Sequence, residues 1–152
     1  MKALILSDSH GAVGNMIEAY ENERNIDIVM FSGDMHRDIE EFSYTYPRAS
    51  VAEVIGNNDF FERNVPDERV FTYDGKRFFL THGHKYGVKY SLAGLLKKAK
   101  EEKADICIYG HTHIKALEEI DGVIVINPGS ARRSYAVLTI ENGDIKVEFK
   151  EF

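Results

Sequence analysis

The first third of the chain alternates between short apolar runs and longer segments that have one apolar and one polar side. The apolar runs predict buried strands, and the two-sided segments predict helices. In chain order we expect strand 3–7, helix 15–25, strand 26–31, helix 38–46 and strand 51–55. Asn15 is the expected cap of the first helix, and Pro47 closes the second. This β-α-β-α-β order is typical of parallel strands joined by helical crossovers.

The rest of the chain is rich in hairpin signals. Asp-Gly at 74–75, Asp-Gly at 121–122 and Asn-Gly at 142–143 each separate two apolar runs, a pattern that favours two-residue hairpin loops. They predict paired strands at 70–73 and 77–81, 116–120 and 123–127, and 135–140 and 145–149. Ser91 is expected to cap a helix that runs to about Lys103, and a buried strand over 106–109 follows. The predicted architecture is α/β (α+β by some schemes), a two-sheet β-sandwich flanked by helices, in one domain over 1–152.

Composition narrows the class of protein. Apolar residues make up 43% and charged residues 29% of the chain, as in ordinary globular proteins. No apolar run approaches the roughly 20 residues of a membrane-spanning helix, and no signal peptide is evident, so a cytoplasmic location is expected. The single Cys107 excludes an internal disulfide and is expected to pack as a small apolar residue. A formal net charge of −6 argues against a nucleic-acid surface, although bound metal ions can reverse the charge of a pocket.

Five of the predicted strands end in side chains that can bind a metal ion. In chain order these side chains are Asp8, His10, Asp34, Asn57, His82, His111 and His113. In open α/β sheets, loops at the carboxyl ends of different strands meet in one crevice, so we expect these distant segments to converge. His111 and His113 are two residues apart and would point to the same side in an extended segment.

The chemistry of this set points to more than one ion. It contains four imidazoles, two carboxylates and one carboxamide, with no thiolate. Seven ligands are too many for one tetrahedral zinc ion, and their mixed nitrogen and oxygen character suits Mn, Fe, Co, Ni or Zn. Two ions that share a bridging carboxylate would use all seven, and such centres clamp a phosphoryl group and lower the pKa of a bound water. The set therefore predicts metal-assisted hydrolysis of a phosphate ester, with a coincidental scatter of polar residues as the alternative.

The order and spacing of these motifs resemble the calcineurin-like metallophosphoesterase superfamily. The motifs are Asp8-x-His10, Gly33-Asp34, Gly56-Asn57, His82 and Gly110-His111-x-His113. The sequences Thr-His-Gly-His at 81–84 and Asn-Pro-Gly-Ser at 127–130 are similar to those of its compact bacterial and archaeal phosphodiesterase branch. The resemblance covers essentially the whole chain and implies the metallophosphoesterase fold, a β-sandwich flanked by helices.

The resemblance also implies a division of the ligands between two divalent ions, for which Mn is preferred and Ni, Co, Fe or Zn are alternatives. The first ion would be bound by Asp8, His10 and His113. The second ion would be bound by Asn57, His82 and His111. Asp34 would bridge both ions, together with a water or hydroxide that attacks phosphorus. The implied activity is that of a metal-dependent phosphodiesterase.

One position departs from the family pattern. Many relatives carry a histidine after Gly-Asn, where it contacts the substrate and can protonate the leaving group. Here that residue is Asn58, whose neutral amide cannot act as a general acid near pH 7. We expect either a preference for good leaving groups or partial substitution by His84 or His36. The candidate catalytic residues are therefore Asp34, Asn58 and His84.

Three nearby residues keep more than one interpretation. His84 supports a ligand, contacts the substrate or is simply a loop residue. His36 lies at the pocket rim or on the solvated surface. Asp59 accepts a proton from a liganding histidine or stabilises a local turn.

Two further pairs of side chains are candidates for contact with a substrate or with another copy of the chain. Arg132 and Arg133 contact phosphate or form a surface pair. Phe60 and Phe61 line a substrate groove, form a homodimer or homotetramer contact, or pack on the core. The expected partner is a small phosphate ester and not a membrane, and the acidic composition argues against nucleic acid. The alternative functions are a non-catalytic interaction scaffold, like a retromer subunit with a degraded metal site, and a phosphomonoesterase or nuclease. The complete ligand set favours an enzyme over the scaffold, and the acidic balance and small size argue against the nuclease.

Overall fold

Two five-stranded sheets pack face to face in the computed structural model, which describes residues 1–152. The elements in chain order are β1 Lys2–Leu6, α1 Val13–Asn22, β2 Ile28–Phe31, α2 His36–Thr45, β3 Val51–Glu53, β4 Glu68–Tyr73, β5 Lys76–Thr81, a short 3-10 helix His84–Tyr86, α3 Ala93–Glu101, β6 Ile106–Ile108, β7 Ala116–Ile120, β8 Val123–Asn127, β9 Ser134–Glu141 and β10 Asp144–Glu151.

Each sheet contains three parallel strands next to antiparallel ones. The first sheet has the order β10-β9-β1-β2-β3, in which β1, β2 and β3 are parallel and β9 runs against β1. The second has the order β4-β5-β6-β8-β7, in which β5, β6 and β8 are parallel and β4 and β7 are antiparallel edge strands. The candidate ligands follow the carboxyl ends of these parallel strands.

The parallel strands are apolar throughout because both of their faces are buried. In β1, Ala3 and Ile5 face the second sheet, whereas Leu4 and Leu6 pack against α1 and α2. The outer face of the second sheet is covered by α3 through Leu95. No helix has the length and apolar character needed to cross a lipid bilayer.

The predicted element types are confirmed, and the predicted bounds shift by three residues at most. The largest shift is the end of α1, which was expected at Asn25 and lies at Asn22. The Asp74–Gly75 turn has positive φ at both residues, 48° and 74°, as a tight hairpin turn of this type requires. The short 3-10 helix before α3 was not expected.

Neither predicted helix cap has the expected geometry. Helix α1 begins at Val13 without a side-chain cap, and the Asn15 amide instead donates a 3.0 Å hydrogen bond to the Ala131 carbonyl. The cap prediction for Asn15 is therefore wrong, because a distant loop uses its side chain. Helix α3 begins at Ala93, so the standard cap position is Leu92. Ser91 precedes that position by one residue, and its Oγ accepts a 3.1 Å hydrogen bond from the Ala93 N–H.

Cys107 is fully buried in β6 and packs against α3, as expected for a small apolar residue. Burial raises the pKa of its thiol to about 12, so the group is a neutral thiol at physiological pH. This cysteine has no part in the site described next.

Candidate metal centre

The seven predicted ligands meet at one edge of the sandwich, where strands of both sheets end. The first sheet contributes Asp8 and His10 after β1, Asp34 after β2 and Asn57 after β3. The second sheet contributes His82 after β5 and His111 and His113 after β6. Exposure increases across the site, from the fully buried His82 to His113, whose side chain is 49% exposed. The site is therefore open to solvent on its His113 side.

The imidazoles form two groups with Asp34 between them. The rings of His10 and His113 have centroids 5.2 Å apart, and those of His82 and His111 are 5.1 Å apart. Asp34 Oδ2 lies 3.8 Å from His10 Nε2 and 3.6 Å from His82 Nε2. Asp8 Oδ1 lies 3.9 Å from His10 Nε2 and 3.8 Å from His82 Nε2, so both carboxylates reach both groups.

Asp8 is held by one oxygen and offers the other to the site. Its Oδ2 accepts hydrogen bonds from the Ser7 hydroxyl and, over 3.0 Å, from the His111 backbone N–H. Its Oδ1 is buried, has no hydrogen-bond partner and lies 3.0 Å from His113 Nε2. His10 Nε2 is likewise buried without a partner. Buried polar atoms are normally satisfied, so these two fit a bound cation.

The tautomer of His82 suits a ligand. Its Nδ1–H donates a 2.8 Å hydrogen bond to the Ser32 carbonyl, because a carbonyl can only accept. In the neutral ring Nε2 then carries the lone pair, and it lies 3.1 Å from Asn57 Oδ1. Two acceptors at that distance repel each other unless a cation lies beside them. Donor atoms that share one ion through bonds of about 2.1 Å are expected roughly 3–4 Å apart, so the residues present fit metal ions.

The backbone at the site adopts an uncommon conformation. Five of the seven candidate ligands have positive φ, between 43° and 66°: Asp8, His10, Asp34, His111 and His113. Residues other than glycine rarely have positive φ. Those that do cluster at functional sites, where the surrounding structure holds the backbone in this conformation. The chain therefore turns sharply after β1, β2 and β6, where these five ligands lie.

Two glycines of the sequence motifs leave room for the carboxylates. A Cβ at Gly56 would overlap Asp34 Oδ1 and would lie 2.6 Å from the Asp34 backbone nitrogen. A Cβ at Gly110 would overlap the Ser7 hydroxyl and lie 2.6 Å from Asp8 Oδ2. Close approach to a carboxylate therefore explains why glycine precedes Asn57 and His111.

Asn58 contacts Asp34 through both its backbone and its side chain. Its backbone N–H donates to Asp34 Oδ1 over 2.9 Å, and its amide Nδ2 donates to Asp34 Oδ2 over 2.6 Å. The residue that replaces the usual histidine therefore lies directly against the carboxylate between the two imidazole groups.

Asp59 organises the backbone of the neighbouring loop. Its carboxylate accepts hydrogen bonds of 2.8–3.1 Å from four backbone N–H groups, those of Asp34, Met35, His36 and Gly56. Asp59 forms no hydrogen bond with a histidine side chain, so the prediction that it supports a liganding histidine is wrong. The prediction that it stabilises a local turn is correct, because all four donors are backbone N–H groups. The sequence missed the scale of this role because three of the four donors are 23–25 residues away.

His84 and His36 have different surroundings. The His84 ring is 5.4 Å from that of His82, and its buried Nδ1 has no partner. Burial, helped by the nearby Lys85, lowers the pKa of His84. His36 Nδ1 lies 2.8 Å from Glu53, and its Nε2 lies 3.3 Å from Glu62.

These carboxylates decide the charge of His36. Burial opposes the charged form, but the hydrogen bond to Glu53 and the negative charges of Glu53 and Glu62 raise the pKa of His36 above its ordinary value. His84 thus lies beside the candidate ligands with a free ring nitrogen, whereas His36 is engaged on both sides.

Phe60 and Phe61 do not pack on the core, which excludes one of their three interpretations. Their exposed fractions are 75% and 95%. They line a cavity of about 240 Å³ that also includes Asn58 and Arg37. The substrate-groove and oligomer-contact interpretations stay open.

The sequence profile of the calcineurin-like phosphoesterase superfamily domain matches residues 1–143, and the chain belongs to this superfamily of metal-dependent phosphoesterases. It is 34% identical to the probable metallophosphoesterase YsnB of Bacillus subtilis, over 98% of this chain and 90% of that protein. It is 33% identical to a phosphodiesterase of Methanocaldococcus jannaschii, over 85% of this chain and 83% of that protein.

A solved structure confirms the predicted fold class. The crystal structure of a protein from Streptococcus pneumoniae, described as a predicted phosphoesterase, matches with a TM-score of 0.80 and 26% identity. The match covers 99% of this chain and 96% of that one. Two sheets flanked by helices are thus the architecture of both proteins.

Proposed function

We propose that this chain is a phosphodiesterase that hydrolyses small phosphate diesters at a centre of two divalent metal ions. The observation that carries the proposal is the position of Asp34 Oδ2, within 3.8 Å of His10 Nε2 and 3.6 Å of His82 Nε2. A bridging ligand requires a carboxylate oxygen between the two imidazole groups. Asp8 Oδ1 has a similar position, and Asp34 is chosen as the bridge because the family resemblance gives it that role. The similarity to the phosphodiesterase of M. jannaschii supports a diester as substrate.

The residues assigned to each ion follow the two imidazole groups. The first ion would be held by Asp8, His10 and His113. The second would be held by Asn57, His82 and His111. Asp34 would bridge them, and Mn²⁺ is the ion we propose first. When bound, such ions polarise the phosphoryl group and supply a hydroxide at neutral pH.

The side chains of the chain itself have three tasks in this reaction. Asp34 holds the position between the two groups, and Asn58 fixes the orientation of Asp34 through two hydrogen bonds. His84, whose ring lies beside those of His82 and His111, is assigned to contact with the substrate. One water is consumed, and the diester yields a phosphomonoester and an alcohol. Because Asn58 cannot give a proton to the departing alcohol, diesters with good leaving groups react best.

The direct test is hydrolysis of bis(4-nitrophenyl) phosphate by metal-stripped protein, with and without Mn²⁺. We expect activity only with the metal and close to two ions per chain by elemental analysis. Asp34→Asn should lose the activity and at least one ion. Asp144→Asn, which changes an exposed carboxylate at the start of β10, is the matched control and should keep both.

Three results would contradict the proposal in different ways. Binding of a single ion with full activity would rule out the dinuclear centre. Faster hydrolysis of 4-nitrophenyl phosphate than of the diester would favour a phosphomonoesterase. Metal binding without hydrolysis of either ester, with Mn, Ni, Co or Zn, would favour the interaction scaffold.

A further inference from the structure

The loop between β8 and β9 is tied to the strand end that carries Asp8. Ser130 Oγ donates a 2.8 Å hydrogen bond to the Asp8 carbonyl, and the Ala131 N–H donates one of 2.8 Å to the Ser7 carbonyl. On its other side, the Ala131 carbonyl accepts the amide of Asn15. The backbone of this loop is therefore fixed relative to the metal centre, although Ser130 and Asp8 are 122 residues apart.

Two arginines follow these anchors directly. The side chains of Arg132 and Arg133 are exposed, and together with Ser130 and His113 they line a cavity of about 350 Å³. We call this cavity the arginine pocket. No apolar side chain lines it, and His113 forms the wall that it shares with the metal centre.

The charge of the arginine pocket differs from that of the whole chain. The chain has 25 acidic against 19 basic residues, yet no carboxylate lines this pocket. Neither guanidinium forms an ion pair within 4.0 Å, and neither donates a hydrogen bond to the protein. Their donors are therefore free for a ligand from solvent. Guanidinium groups match phosphate oxygens by paired hydrogen bonds.

We propose that the arginine pocket binds a second phosphate group of the substrate, beside the phosphate that is hydrolysed. This inference rests on the proposed function, because it assumes that the scissile phosphate lies at the metal centre against Asp8 Oδ1 and His113 Nε2. A phosphate is favoured over a base or an alkyl group because every wall of the pocket is polar. The preferred substrate is thus a phosphodiester that carries a further phosphate on one arm.

Two esters that differ by one phosphate test this inference. They are thymidine 5′-(4-nitrophenyl phosphate) and the same ester with a 3′-phosphate, and both release 4-nitrophenolate. For the unaltered protein we expect kcat/KM to be about tenfold higher with the 3′-phosphate, a factor worth about 1.4 kcal/mol. In the double variant Arg132→Ala/Arg133→Ala the ratio should fall to about one. Arg48→Ala, at an exposed arginine after α2, is the matched control and should keep the tenfold ratio.

A ratio of one in the unaltered protein, or a tenfold ratio that survives in the double variant, would overturn the inference. Calorimetric titration of the Mn²⁺-loaded protein separates this failure from failure of the proposed function, because it needs no turnover. Thymidine 3′,5′-bisphosphate should bind about tenfold more tightly than thymidine 5′-monophosphate, and only while the arginines are present. If neither ester is hydrolysed, the phosphodiesterase proposal is wrong, and this titration alone decides: equal affinities for the two nucleotides overturn the pocket assignment.

Discussion

Asn58 donates a hydrogen bond to each carboxylate oxygen of Asp34. The backbone N–H donates over 2.9 Å and the side-chain amide over 2.6 Å. The plane of the Asp34 carboxylate is fixed by these two donors. An amide suits this task, since it stays neutral and keeps its donor at every physiological pH. At the position where the resemblance leads us to expect a histidine, this chain has a residue that orients the candidate bridging ligand.

The proposed preference for good leaving groups follows from the presence of Asn58 where a histidine was expected. Asn58→His should raise the rate of hydrolysis of a diester with an alkyl leaving group by about tenfold or more, since general acid catalysis typically contributes 10²–10⁴-fold. The rate for bis(4-nitrophenyl) phosphate should not rise, because nitrophenolate leaves without a proton, and the lost amide hydrogen bond to Asp34 affects both esters alike. Steady-state rates for both esters check this. An unchanged rate for the alkyl ester would show that leaving-group protonation does not limit this enzyme.

His84 and His36 should differ in their importance for catalysis. His84→Ala should lower kcat/KM by about 10²-fold, because its ring lies beside those of the candidate ligands His82 and His111. His36→Ala should have a much smaller effect, because Glu53 and Glu62 already occupy both ring nitrogens. Metal content is measured alongside, and it should stay unchanged in both variants. Equal losses in the two variants would contradict the assignment of His84 to the substrate.

Gly56 should not tolerate a methyl group. Gly56→Ala places a Cβ against the Asp34 carboxylate and backbone, so we expect a loss of about 1–3 kcal/mol in the free energy of unfolding, the usual effect of overpacking. Affinity for Mn²⁺ should fall as well, by about 10–100-fold, as is typical when the support of a ligand is disturbed.

The matched control for this variant is Gly14→Ala, since Gly14 lies in α1 with open space around its Cα. This change should be neutral or should stabilise by about 0.5–1 kcal/mol, because alanine favours helix. Urea unfolding and metal titration measure both effects. Normal metal affinity in Gly56→Ala would show that the loop can move away without displacing Asp34.

A buried carboxylate far from the site should make stability depend on pH. Glu23 is 5% exposed and pairs with Lys150 and, over 2.9 Å, with Lys2. Burial acts to raise its pKa, but the hydrogen bonds and charges of the two lysines outweigh burial and lower the pKa of Glu23 below its ordinary value. Such a group stabilises the fold fully above its unfolded pKa, and this stabilisation is lost as the pH falls through the folded pKa.

Glu23→Gln should therefore lower the free energy of unfolding at pH 7 by about 1.5–3 kcal/mol, the typical value of a hydrogen bond to a charged group. The difference from the unaltered protein should shrink as the pH falls below the ordinary carboxyl range. Urea unfolding over a pH series measures it. Glu18→Gln, at an exposed position of α1, serves as control and should show no such trend. A constant difference at all pH values would show that packing, and not charge, stabilises this cluster.

The sequence predicts those features that depend on neighbours along the chain. The hairpin at Asp74–Gly75 could be predicted because two adjacent residues determine the turn. The convergence of the ligands could be predicted because each follows a strand, and parallel strands end at the same edge. The extended segment expected at His111 and His113 is wrong, because both residues have positive φ, 66° and 60°, and their rings lie in different imidazole groups.

Features that join distant loops could not be predicted in the same way. Asp59 accepts hydrogen bonds from backbone N–H groups on the loop after β2. Because almost every residue has a backbone N–H, no residue type in the sequence indicates which groups will be the partners. Asn15 matched the pattern of a helix cap, but its partner is Ala131, which is 116 residues away. The arginine pocket has the same origin, because His113 and Arg132 follow different strands and only tertiary packing brings them to one cavity.

The division of the seven candidate ligands between the two sheets bears on how the protein folds. Each proposed ion would draw ligands from both sheets, so its full set is absent until the sheets have packed face to face. Interactions that form only after the folding barrier slow unfolding and leave the folding rate unchanged. Stopped-flow measurements should therefore show that Mn²⁺ lowers the unfolding rate alone, and faster refolding with Mn²⁺ would contradict this. The ions would set the lifetime of the folded protein and not the speed at which it forms.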